Sequence, residues 1–209
     1  MLEKIKQILH LKKEEPFINP EDEQRIFYQN LSNDVIRLDI GEDLVKLSDK
    51  ISDTISELRN HFFDEYGFIF PTIHVTENNC IQENELFCEV RGKEVWHEFT
   101  VPNEETVLQD IENLMFYIFD NHLNEIFTYE MMEKYFDYLR EKNYGLVYQL
   151  TCRLTVMQIR KILINLIQKK KSIKDLAFIF EKIADSVLSD NLYNDVNINK
   201  LSQELVNNL

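Results

Sequence analysis

From Pro102 onward the hydrophobic pattern of this chain is helical alone. Upstream of that proline, short stretches alternate apolar and polar residues with period two. Downstream, apolar residues recur only at three- and four-residue spacing. Strand-type and helix-type patterns gathered into separate blocks predict an α+β fold, with a small β-α-β-β-β layer followed by an all-helical bundle. The predicted division is 1–33, an N-terminal helix and linker; 34–101, the small α/β subdomain; and 102–209, the helical subdomain. The 209 residues suffice for one large domain or two small ones.

In the first segment Leu2, Ile5 and Leu9 share a helical face, and Lys12 to Pro16 with Asn19 to Glu23 reads as a linker. Ile36, Leu38 and Ile40 then alternate with Arg37 and Asp39, a half-buried strand ended by Gly41. Ile51, Ile55, Leu58 and Phe62 make one helical face, closed near Tyr66-Gly67. A second strand is predicted over Phe68 to Val75, interrupted by Pro71, which implies an edge or a bend. In a third, Leu86, Cys88 and Val90 oppose Phe87, Glu89 and Arg91. A fourth sets Val95, His97, Phe99 and Val101 on the apolar phase against Trp96, Glu98 and Thr100. The helical block carries stripes at Val107 to Ile118, Met132 to Leu139 after the cap candidate Thr128, and Leu146 to Leu150. Further stripes run from Ile159 to Leu166 behind the Thr155/Gln158 capping box, and from Ile173 to Val187 behind Ser172 and Asp175. The last is Ile198, Leu201, Leu205 and Leu209.

Charge narrows the function. Lys and Arg number 23 against 37 Asp and Glu, a net charge of −14, which repels phosphate backbones and anionic lipid surfaces. No nucleic-acid partner and no membrane span are expected. The longest apolar run, about Leu114 to Phe119, is far short of a spanning helix. With only 3 Cys and no signal-peptide core, a cytoplasmic, reducing location is expected. No phosphate-binding Gly loop, His-Glu-x-x-His or Gly-x-Ser-x-Gly occurs, so no enzyme, cofactor or metal is predicted. The rival chemistry joins Cys80, Cys88 and His97 as a metal site or a Cys/His nucleophile pair. Against it stand a spacing unlike zinc signatures and the expectation that Cys88 and His97 are simply buried.

Two features suit protein contacts. Trp96 lies opposite Val95, His97 and Phe99, either exposed as a partner anchor or packed beneath the helical half. Lys169, Lys170, Lys171 and Lys174 form the basic cluster, at a helix end where cations complement the macrodipole. Its functional reading is contact with an acidic neighbouring subunit, for example through Asp110, Glu112 or Asp120.

The order of motifs resembles the cytoplasmic region of the flagellar and type III secretion export-gate proteins, the FHIPEP or FlhA family. Asp34 to Gly41 with Leu44 and Leu47 is similar to the family's opening strand, and Ile55, Leu58 and Arg59 fall on its following helix. Tyr66 to Asn78 resembles the Gly-Phe-x-x-Pro-x-x-x-Ile-Arg-Asp-Asn segment, and Glu85 to Val95 the next strand. Ile162 to Ile167, then Ser172 to Leu176, resemble the Val-Leu-Gln-x-Leu-Leu and Pro-Ile-Arg-Asp-Leu pair. Thr76, Glu77 and Lys174 replace the family's Arg, Asp and second Arg. The resemblance spans roughly 34 to 185. By it, this chain is a shortened form without the membrane half, the inserted subdomain between Val95 and Pro102, and the terminal subdomain.

The resemblance implies a non-catalytic protein-binding and assembly module of a protein export apparatus. Its partners would be export components, export substrates or further copies of itself. The α/β half would present a sheet edge and a pocket. Glu77, Asn78 and Asp175, at the matched motifs, join Trp96 and the lysines as candidate binding residues. The alternatives are a stand-alone regulatory or adaptor relative outside secretion and, less favoured, the small metal or Cys/His hydrolase.

Overall fold

The computed structural model describes residues 34–189 and 197–208. The amphipathic segment predicted around Leu2, Ile5 and Leu9 lies outside these residues.

Strand β1 (Ile36–Ile40) is followed by a 3-10 turn (Glu42–Leu47) and helix α1 (Ser48–Tyr66). Strands β2 (Ile73–Glu77), β3 (Glu85–Val90) and β4 (Lys93–Phe99) complete a sheet of order β2-β1-β3-β4. The fold class is therefore the predicted β-α-β-β-β arrangement. β1 runs parallel to β2, which requires a crossover, and α1 supplies it. The pairs β1–β3 and β3–β4 are antiparallel.

Register explains which face is covered. Ile36, Leu38 and Ile40 stand opposite Val90, Cys88 and Leu86, and all six are at most 2% exposed. They form one apolar sheet face, sharing a core with Ile51, Ile55 and Phe62 of α1.

The predicted second strand is corrected at its start. It begins at Ile73, after Pro71. Phe68 and Phe70 are instead buried plugs, with Phe70 stacked 5.1 Å from Phe62 and Phe68 5.5 Å from Phe127. Proline has no N–H for a ladder, and the Ile69 amide donates to the Tyr135 hydroxyl rather than to a strand.

The rest is helical: α2 (Glu104–Asn121), α3 (Leu123–Ile126), α4 (Tyr129–Thr151), α5 (Val156–Gln168), α6 (Leu176–Ser189) and α7 (Ile198–Asn208). Thr128 and Thr155 cap α4 and α5 as predicted, each accepting a bond from the third residue's amide. The separate stripes at Met132 to Leu139 and Leu146 to Leu150 are two halves of α4. They are broken at Asn143, whose φ of −150° is not helical and whose side chain accepts from the Leu146 amide. Ile173 is buried, but it precedes α6 rather than belonging to it; Asp175 caps that helix, accepting from the Phe178 amide at 3.0 Å.

The sheet joins the helices at two places. Gly67 ends α1 at φ +71°, and a Cβ there would stand 2.7 Å from the Lys174 backbone nitrogen. That close approach lets the Ile173 amide donate to the Tyr66 carbonyl. At the other end the Arg91-Gly92 turn has both residues at positive φ, as a two-residue hairpin requires. From it Arg91 donates to the Glu125 carbonyl at 2.8 Å, while Arg160 of α5 donates to the carbonyls of Asn124 and Phe127. Two guanidiniums thus serve the carbonyl end of α3. Burial, then the neighbouring Arg91, lowers the Arg160 pKa.

Candidate protein-binding surface

The rival reactive centre does not assemble. Cys88 is fully buried on the inner sheet face, and burial, then the charges of Glu89 and Asp39, push its thiol up to about 12. A thiol held in its neutral form is a poor nucleophile. Cys80 is exposed in the turn after β2. His97 requires a correction, since it lies on the outer face rather than in the core, and its side chain is 41% exposed. The cause is a β-bulge. Glu89 pairs with Glu94 but Cys88 with Trp96, leaving Val95 as the extra residue. The inner phase of β4 therefore passes through Trp96 and Glu98, and Phe99 and Val101 are 52% and 61% exposed. Among the described residues, no group of three His, Cys, Asp or Glu side chains is placed to hold a metal ion.

Trp96 is half-buried and meets Tyr117 of α2 at 5.2 Å. Of its two predicted positions, it takes the one beneath the helices. Its indole nitrogen is buried with no hydrogen-bond partner.

Glu77 and Asn78 end β2 in different roles. Asn78 is a lock: its side chain donates to Asp39 at 2.7 Å and accepts from the Cys80 amide at 2.9 Å. Arg37 forks onto the same, almost fully buried Asp39 carboxylate at 2.8 and 2.9 Å, and this bond raises the Arg37 pKa. Glu77 is exposed and lines a cleft of about 640 Å³ with Glu42, Glu83, Asn79 and Asn84. One wall exists because residue 41 is glycine. A Cβ there would lie 2.1 Å from the Gln82 carbonyl oxygen, whereas its amide now donates to Glu85 at 2.9 Å.

The basic cluster is partly internal. Lys170 pairs with Asp120 of its own α2 and lies 5.2 Å from the Phe119 ring centre. The acidic partner that the sequence suggested on a neighbouring subunit is met here within the chain. Lys169 and Lys174 are exposed and Lys171 half-buried. The cleft that Glu77 lines includes neither Trp96 nor the lysines. Trp96 and Lys170 both meet α2, Trp96 at Tyr117 and Lys170 one turn on at Asp120.

The outer face of the β3–β4 hairpin carries a feature that sequence reading missed. Register places Glu85 opposite Phe99, Phe87 opposite His97 and Glu89 opposite Glu94. The rings of Phe87 and His97 are 6.2 Å apart and those of His97 and Phe99 5.2 Å. Glu85, only 7% exposed, accepts from the Gln82 amide at 2.9 Å and stands 2.9 Å from His97 Nε2.

Comparison with known proteins follows this architecture. The FHIPEP family matches residues 3–115 and 96–208. The flagellar biosynthesis protein FlhA of Bacillus subtilis is 24% identical over 208 aligned positions, covering 75% of this chain and 31% of that one. CdsV of Chlamydia pneumoniae, solved in complex with CdsO, superimposes with a TM-score of 0.66 at 18% identity over 80% of this chain and 62% of that one. Nonameric SctV-C of EPEC gives 0.66 at 16%, over 80% and 63%. The chain thus spans about a third of the FlhA length and under two thirds of those structures. Among the described residues, no helix is long and apolar enough to cross a membrane.

Proposed function

The chain belongs to the FHIPEP family, and from that membership we propose that it acts as a binding and assembly module in a flagellar or type III protein export apparatus. The observation that carries the reading is the family match through both the sheet and the helical block. Its mechanism is docking. The hydrogen-bonded Arg37–Asp39–Asn78 lock ties β1 to the end of β2, and the Tyr135–Gly67 joint holds the α/β layer against the bundle, so its surfaces meet partners as pre-formed shapes with little ordering cost. A role without catalysis and a site of action on the cytoplasmic side belong to the same proposal.

Self-association is part of it, because SctV-C is nonameric and CdsV was solved with a protein partner. The acidic chain and the exposed Lys169 and Lys174 make such contacts sensitive to salt. The test is co-purification of the full chain from its own cells after light crosslinking, read by mass spectrometry. Enrichment of export-apparatus components over a mock capture is expected, and their absence would remove the reading.

A further inference from the structure

We propose that the open edge of β4 binds an extended basic segment of another polypeptide by strand addition. This deepens the docking reading and rests on it for the biological role, but the geometry stands on the sheet alone. β4 is terminal in the order β2-β1-β3-β4 and, among the described residues, pairs with β3 only. Folded proteins normally blunt such an edge with charge, a bulge or a cover. Here the bulge at Val95 guards one end and leaves Trp96 to Phe99 in regular register. That run ends in Phe99, half exposed, with Val101 more exposed beyond it.

The outer face also specifies what could lie beside the edge. A strand added next to β4 places alternate side chains against Phe99 and His97 and then, past the bulge, against Glu94. The first two positions offer aromatic surface. The third offers paired carboxylates, since Glu94 stands opposite Glu89, a like-charge arrangement that is unfavourable unless a cation joins it. Arg37, registered across from Glu89 on the far side, feels the Glu89 charge but is forked onto Asp39, and the His97 ring nitrogen Nδ1 lies 3.9 Å from Glu94, so neither closes on the carboxylates at hydrogen-bond distance. Lys93 is at the strand end, and Arg91 is turned onto the Glu125 carbonyl. The complementary occupant is therefore a strand whose same-face residues run from apolar or aromatic to Lys or Arg. An acidic strand would meet Glu94 and Glu89 unfavourably, and so would a second copy of β4 wherever its own Glu94 fell beside that pair.

The probe is a synthetic peptide of about nine residues alternating threonine with valine, tyrosine and two lysines, a common strand length. The control has both lysines replaced by glutamate. Hydrogen exchange on the full chain reads the β4 amides, and the chain's single tryptophan, Trp96, reports from the same strand by fluorescence. Binding of the lysine peptide should slow exchange at Trp96 to Phe99. Glu94→Lys should weaken it at least tenfold, and Phe99→Lys by a similar factor. Glu94 is exposed, so E94K keeps the test valid should F99K unfold. Unchanged β4 exchange at millimolar lysine peptide, or equal binding of the glutamate control, overturns the proposal. So does protection of β4 that rises with protein concentration alone, which would make a second copy the occupant. None of these readouts uses export components, so failure here is distinct from failure of the co-purification test.

Discussion

The Tyr135 hydroxyl donates a hydrogen bond to the Gly67 carbonyl at 3.0 Å and accepts one from the Ile69 amide at 3.1 Å. One side chain of α4 thereby satisfies two backbone groups of the segment joining α1 to β2. Burial drives its phenol up to about 12. Tyr135→Phe leaves both backbone groups without that partner in a buried place. It should destabilise by about 1–3 kcal/mol, read as a lower urea midpoint with unchanged slope.

Gly67 and Gly92 share a positive φ but not a neighbourhood. Any side chain at Gly67 meets the backbone of Lys174, whereas nothing lies within 4 Å of a Cβ at Gly92. Gly92→Ala should cost only the left-handed backbone penalty, about 1–2 kcal/mol. Gly67→Ala should cost clearly more, because it also pushes away the loop that brings Ile173 to Tyr66. Thermal unfolding of the two variants side by side checks the ranking.

Alkali should unfold this protein partly through Cys88 and Tyr135. Both groups are neutral when folded, and burial raises both to about 12, from ordinary values of 9.0 and 10.0. The unfolded chain loses these protons first. The stabilisation is therefore complete below about pH 9 and is lost as pH climbs toward about 12. Urea midpoints measured across that window should fall, and the fall should be shallower in Cys88→Ala. At pH 8 the native protein should expose two thiols to a thiol reagent, Cys80 and Cys152, and the third only on unfolding.

How far the sequence reached depended on contrast between the two phases of each strand. In β3 the inward Leu86, Cys88 and Val90 alternate with two charged residues and a single Phe87, and the pattern predicts the burial of the inward three, though not that of Glu85. In β4 both phases hold large apolar side chains, and the extra residue Val95 shifts one phase into the other. Alternation alone thus turned Phe99 inward and Trp96 outward, the reverse of the structure. Phe68 and Phe70 mimicked a strand because two aromatics spaced by two can equally plug a core. The caps at Thr128 and Thr155 were readable because a cap is a local bond between near neighbours. The Lys170–Asp120 bridge joins residues fifty apart, which no short window of sequence contains, and the Glu89–Glu94 pair, though only one hairpin turn apart, depends on the register set by the bulge.

Lys170 offers a test of which of its two features matters more. It sits at φ +56°, where a side chain is disfavoured, and its charge pairs with Asp120 at an exposed site. Exposed pairs contribute about 0–1 kcal/mol, while the backbone penalty is about 1–2 kcal/mol. Lys170→Gly should accordingly equal or exceed the parent in stability, and Lys170→Ala should fall below both. Equilibrium unfolding in low and high salt gives the comparison.

Removing the chain from its own cells tests the central claim most directly, with secreted protein measured in the medium before and after the wild-type copy is restored. The account predicts that the amount of exported appendage or effector protein drops and then recovers. Export that continues unchanged in cells verified to lack the chain would contradict it.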